Sequence, residues 1–227
     1  MAFRRASSSE SLLGGENLTQ AMVGIGMLFA KEGSPDPNIE DTLLAASVEG
    51  MEGDDLRVLA MLMTWLEVHS HWINADRLTR LVTAYPGTRV RAFWAAVGHW
   101  LSKDRRFARL IQSYQGAPVD LLGTGAAFHL RRAGEDPRFV GSSLRVPAGV
   151  LRDRKEDVLN PAELAQRHRT YRRRILLGPS YRADMWSELD RNPDLTAAAL
   201  AHRTYGSFAT AWQVKQDWAL LEAAKAR

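Results

Sequence analysis

Two groups of side chains in this 227-residue chain have types and spacing that bear on chemistry. The first is Glu67-Val68-His69-Ser70-His71. Histidines that share a metal on a helix need i,i+4 spacing, so that both rings leave the same face. His69 and His71 are two apart, which on a helix turns them to different faces. With His99 as a third ligand they converge only if the helix stops there, so the favoured reading is a helix terminus with exposed polar residues. No metal and no cofactor are expected. The serines lack a nucleophile-elbow motif. Gly123-Thr124-Gly125 lacks the third glycine of a dinucleotide loop, and no phosphate-loop Lys-Ser/Thr pair occurs. The absence of cysteine excludes a disulfide framework, a thiolate metal site and a cysteine nucleophile. A binding module is expected rather than an enzyme, with no catalytic residues.

The second group is basic. Gln166-Arg167-His168-Arg169-Thr170-Tyr171-Arg172-Arg173-Arg174 puts five arginines into eight residues. On one helix Arg167, Tyr171 and Arg174 share a face, while Arg169 and Arg173 lie on an adjoining one. Such a density of like charge repels itself without an anionic partner, and two basic faces can follow a phosphate backbone. The competing reading is a solvated helix face balanced by Asp153, Glu156 and Asp157.

Charge is unevenly placed. Residues 1–100 carry 8 Lys and Arg against 12 Asp and Glu, and residues 101–227 carry 22 against 14. Only five of the basic residues are lysines. Arginine binds phosphate as a fork and stacks on bases, which suits nucleic-acid contact. A GC-rich genome also favours arginine, but not its concentration in one half. No apolar run approaches the ~18 residues of a membrane span, and no signal-peptide stretch follows the first arginines. The expectation is a soluble, cytoplasmic protein with no membrane partner.

The fold class expected is mainly α, a helical bundle with a few short strands. Residues 1–16 read as a mobile tail, 17–125 as a helical N-terminal domain for packing or dimerisation, 126–158 as an irregular, short-strand connection, and 159–227 as a basic helical domain. Helices are predicted over about 17–32, 39–49, 54–72, 75–84 and 89–101, with Asn74 and Thr88 as caps for the last two. Phe128, Leu130, Phe139, Val140, Leu144 and Val146 suggest short strands. Asn160-Pro161-Ala162-Glu163 is a helix start with an N-cap, Pro at N1 and an acid at N3, for a helix running to about Leu177. Ser180 caps a helix over 181–190, Asp194 one over 195–204, and Ser207 one over 208–224. Trp65, Trp72, Trp94 and Trp100 read as core, whereas Trp212 covers a neighbouring helix or a partner.

Leu195 to Leu221 therefore reads as helix, short turn, helix, with Ala211, Val214, Trp218 and Leu221 forming the inward face of the second. The segment from Ser180 to Ala224 resembles the helix-turn-helix of bacterial DNA-binding proteins and is similar to the winged-helix variety, though no strand pair follows to supply a wing, and Tyr205 stands where that superfamily often has glycine. The resemblance implies binding of double-stranded DNA, as a transcriptional regulator, an antitoxin-like repressor or an accessory subunit of a DNA-acting system, most naturally as a dimer. It also implies roles. Ser207, Thr210 and Gln213 would meet base edges, and Arg203 and Lys215 would hold phosphates, joined by Arg167, Arg169, Arg172, Arg173 and Arg174. Residues 74–101 have a similar outline and form a possible second such unit, with residues 102–150 available as its wing. The alternative is a helical protein–protein adaptor that uses the same geometry as scaffold. A basic outer face on 208–224 favours DNA; a neutral apolar one favours protein.

Overall fold

The computed structural model describes residues 12–225 and is mainly helical. Most of the expected tail lies outside the described residues, but its last two positions are helical, because α1 spans Gly15–Gly24. The helix ends there rather than near residue 32. Ser34 and Pro37 pack where a Cβ on Gly24 would stand, and Gly26 takes a positive φ. Two compact units follow. One holds Ala75–Leu159 and the described residues up to Ser70; the other holds His71–Asn74 and the described residues from Asn160 onward.

The first unit is built on α2 (Ile39–Glu52), α3 (Leu56–His69), α4 (Ala75–Ala84) and α5 (Thr88–Trp100). Asp55 caps α3 by accepting from the amides of Arg57 and Val58. Thr88 is not a cap; it is the first helical residue of α5, and Gly87 before it offers no side chain. The core holds Trp65, Phe93 and Trp94, all fully buried, while Trp72 and Trp100 are only half-buried. The two buried indoles each find an acceptor, Trp65 on the Ile25 carbonyl and Trp94 on the Ser47 hydroxyl, as buried polar atoms must.

The short helices α6 (Ala108–Ile111) and α7 (Ala126–Ala133) complete this unit. Phe128 and Leu130 thus lie on a helix, not a strand, because Gly125 turns the chain through the left-handed region just before it. Among the described residues the paired strands are β1 (Val119–Asp120) and β2 (Leu144–Arg145), parallel, with Val119 opposite Leu144. A parallel two-residue pair is no hairpin, so residues 102–150 supply no wing. Residues 126–158 belong with this unit, since Phe139, Leu144, Val146 and Leu151 are buried in it.

The second unit contains α8 (Pro161–Arg167), α9 (Arg169–Leu177), α10 (Tyr181–Arg191), α11 (Ala197–Thr204) and α12 (Phe208–Lys225). The Asn160 box forms as expected. Its side chain accepts from Ala162 and Glu163, and Glu163 reaches back to the Asn160 amide. The helix then breaks at His168, whose Nδ1 accepts from the Tyr171 amide and starts α9. Helices α10, α11 and α12 pack on one another around Met185, Leu189, Leu195, Leu200, Ala211 and Val214. Ser180 and Thr196 cap α10 and α11, so Thr196 takes the place expected of Asp194. Tyr205 makes the turn with φ +58°, a conformation that glycine adopts more cheaply.

Candidate functional site

The basic cluster is divided by the break at His168. Arg167 ends α8, so it does not continue the face of Tyr171 and Arg174 on α9. Arg174 is fully buried. Its Nε and one terminal nitrogen grip both oxygens of Asp184 at 2.8 and 3.1 Å, and the other donates to the Trp72 carbonyl at 3.2 Å. The expectation that Arg174 touches phosphate is corrected. A buried guanidinium with a fixed carboxylate is a structural pair. Tyr171 beside it is equally buried and stands edge-on to Trp72. Burial pushes its phenol well above the ordinary range. Arg173 makes a fork to Asp190, with both contacts at 2.6 Å. Arg167, Arg169 and Arg172 have no ion-pair partner among the described residues, and Arg167 and Arg172 are exposed.

The expected reading surface lies at the start of α12. Ser207 is exposed and accepts from the Thr210 amide, and its hydroxyl bonds that of Thr210, so it serves as the helix cap. The Gln213 amide donates to Asp217 at 3.1 Å. Asp217 in turn receives Arg182 at 2.8 Å. Arg182 first, then Gln213, hold the Asp217 carboxyl below its usual range. The Lys215 ammonium donates to the Pro193 carbonyl at 2.9 Å, and Arg203 lies 3.6 Å from a Glu188 oxygen. Seven of the ten side chains singled out in the sequence therefore already hold a side-chain or carbonyl partner: Arg173, Arg174, Arg203, Ser207, Thr210, Gln213 and Lys215.

Sequence reasoning undervalued the rest of α12. Ala211 and Val214 are buried and Trp218 packs half-buried against Trp186, with ring centroids 5.3 Å apart. Leu221 departs from the expected inward face and is 53% exposed, because the cluster ends at Trp218. On the opposite face Ala209, Trp212, Gln213, Gln216, Ala219, Leu220 and Ala223 are all exposed, with Phe208 at its edge. Phe208 is 59%, Trp212 52% and Leu220 70% exposed. That face contains no lysine, arginine, aspartate or glutamate. Apolar side chains therefore lie on both sides of α12. The signal was present in the sequence: Trp212 breaks the amphipathic pattern.

The histidine pair resolves differently from its expected exposed terminus. His69 is fully buried, stacks on Trp65 with centroids 4.8 Å apart, and its Nε2 lies 2.9 Å from the Leu159 carbonyl. Burial depresses its pKa to about 4, against a smaller upward pull from the Leu159 carbonyl. The ring is therefore neutral at pH 7 and donates from Nε2. His71 and His99 are exposed. Among the described residues no three histidine or carboxylate side chains gather to hold a metal ion, and no helix is long and apolar enough to cross a membrane.

No family model, no curated protein and no solved structure compared with this chain matches it.

Proposed function

We propose that the second unit is a protein-binding helical module that docks its partner on the outer face of α12. The observation that carries this reading is the uncharged, apolar character of that face, with Phe208, Trp212 and Leu220 each more than half exposed. Interface centres are depleted of charge and enriched in aromatic side chains, and a tryptophan there often carries a large share of the binding energy. A duplex-reading helix needs cations beside its polar residues, whereas here Lys215 and Gln213 are engaged and a carboxylate borders the face.

A second reading keeps one specific support. Arg167, Arg169 and Arg172 are free of ion pairs among the described residues, and they suit contact with a phosphate backbone. In that reading the module binds double-stranded DNA through α8 and α9 rather than through α12.

The test compares two variants of the full chain. Trp212→Glu with Leu220→Glu is expected to abolish co-purification of a protein partner while leaving duplex binding unchanged. Arg167, Arg169 and Arg172 changed together to Ala should leave partner capture intact. Partner capture that survives the α12 variant and fails with the arginine variant reverses the assignment.

A further inference from the structure

We infer that the partner seated on α12 is a second copy of this chain, with the two α12 helices antiparallel about a two-fold axis at Gln216. The inference rests on the docking reading above and names its occupant.

Ala209, Trp212, Gln216, Ala219 and Ala223 follow one another at spacings of 3, 4, 3 and 4, the a/d repeat of a helix-pairing seam. All five are exposed. The seam is also close to symmetric in size about its middle. Ala209 and Ala223 lie seven residues either side of Gln216, and Trp212 and Leu220 lie four either side. A two-fold axis across the helix at Gln216 therefore carries Ala209 onto Ala223 and Trp212 onto Leu220. In such an isologous contact residue i meets j and j meets i. The alanines at both ends let the backbones approach, and each Trp212 fills the space beside the partner copy's Leu220 and Ala219. The two Gln216 amides meet on the axis, where each can donate to and accept from the other. A single polar residue at such a position fixes register.

A parallel pair fits less well. It sets Trp212 against Trp212 at one level and alanine against alanine at the others, giving a clash beside voids. Antiparallel helices also place each positive N-terminal end beside a negative C-terminal end. The area is sufficient. Half-exposed aromatics offer about 100 Å² each. With Leu220, the alanines and the glutamines, the face presents roughly 500 Å² per copy, or about 1,000 Å² for the pair, the lower bound of a specific interface. A dimer of micromolar strength is expected.

The chain has no cysteine, which makes the geometry directly testable. Residues 209 and 223 of one α12 are 14 positions apart, about 21 Å along the axis. In the antiparallel pair residue 209 faces residue 223 of the other copy. A mixture of full-length Ala209→Cys and Ala223→Cys chains is expected to form a disulfide heterodimer under mild oxidation, while Ala209→Cys alone forms none. Sedimentation of the unmodified chain should show a concentration-dependent species at twice 25.4 kDa, lost in Trp212→Glu with its helical circular dichroism retained. A chain that stays monomeric to about 100 µM, with no disulfide in the mixture, overturns the second copy; partner capture that still depends on Trp212 then leaves the docking reading standing. Disulfides in Ala209→Cys alone overturn the antiparallel pair. A dimer indifferent to Trp212→Glu overturns the inference, and partner capture equally indifferent to it overturns the docking reading as well.

Discussion

The Gln213 side chain donates to Asp217 one turn further along α12, and Asp217 holds Arg182 on its other side. The residue expected to read a base edge is thus tied to a carboxylate. Freeing it for a base means breaking a charge-assisted hydrogen bond and bringing Asp217 up to a polyanion. Gln213→Ala is expected to leave the sequence preference of any duplex binding unchanged, measured by anisotropy on a panel of duplexes. A change of preference confined to one base position would show that Gln213 reads DNA after all.

The arginines of α8 and α9 give a separate prediction. If duplex binding occurs, Arg167, Arg169 and Arg172 changed to Ala should weaken it equally for all sequences and flatten its dependence on salt by up to about three phosphate contacts. Arg173→Ala should do less, since Asp190 already neutralises that side chain. An unchanged salt slope in the triple variant would remove these side chains from any phosphate contact.

Arg174 and Asp184 form a buried pair, and removing one member leaves a charge with no counterpart. Asp184→Ala is expected to cost about 3–5 kcal/mol of stability. Replacing both members together, as Arg174→Met with Asp184→Leu, should cost far less, because no orphaned charge remains. Urea unfolding of the native chain, the single variant and the double variant measures the difference. A double variant as unstable as the single one would mean that the Trp72 carbonyl contact, not the carboxylate, is what Arg174 supplies.

His69 makes the first unit sensitive to acid. Its folded pKa is about 4, below the 6.5 of the free side chain. Above pH 6.5 the ring is neutral in both states and its contribution is complete. As pH falls from 6.5 towards 4 the unfolded chain takes up a proton that the folded chain refuses, so roughly 3 kcal/mol is lost over that window. His69→Gln keeps a donor for the Leu159 carbonyl but does not titrate. The stability advantage of the native chain over this variant should therefore shrink as pH falls from 7 to 4 in chemical denaturation. An advantage constant with pH would mean that His69 is not buried as a neutral ring.

Local signals were legible in the sequence and distant ones were not. The caps at Asn160, Ser180 and Ser207 stand where the sequence suggested, because a cap is settled within four residues. The break at His168 was missed, since it depends on a ring nitrogen acting as acceptor, a role that residue type alone does not specify. The burial of Arg174 was missed for another reason. Its carboxylate is ten residues away and its carbonyl partner 102 away, so an arginine at the centre of a basic run looked solvated. The inward residues Ala211 and Val214 followed from helical period, while Leu221 kept the period but ran past the end of the cluster it was meant to join. Trp212 was noticed as an exception, yet its meaning needed the whole exposed face around it.

The most direct measurement of the docking face is photo-crosslinking from Gln216 in living cells, using the full chain with a photoreactive side chain at that position and a control at exposed Arg132. The expected result is one discrete protein adduct from position 216, absent from position 132 and abolished by Trp212→Glu. Adducts to DNA from position 216, or no adduct beyond the control, would contradict the assignment of this face to a protein partner.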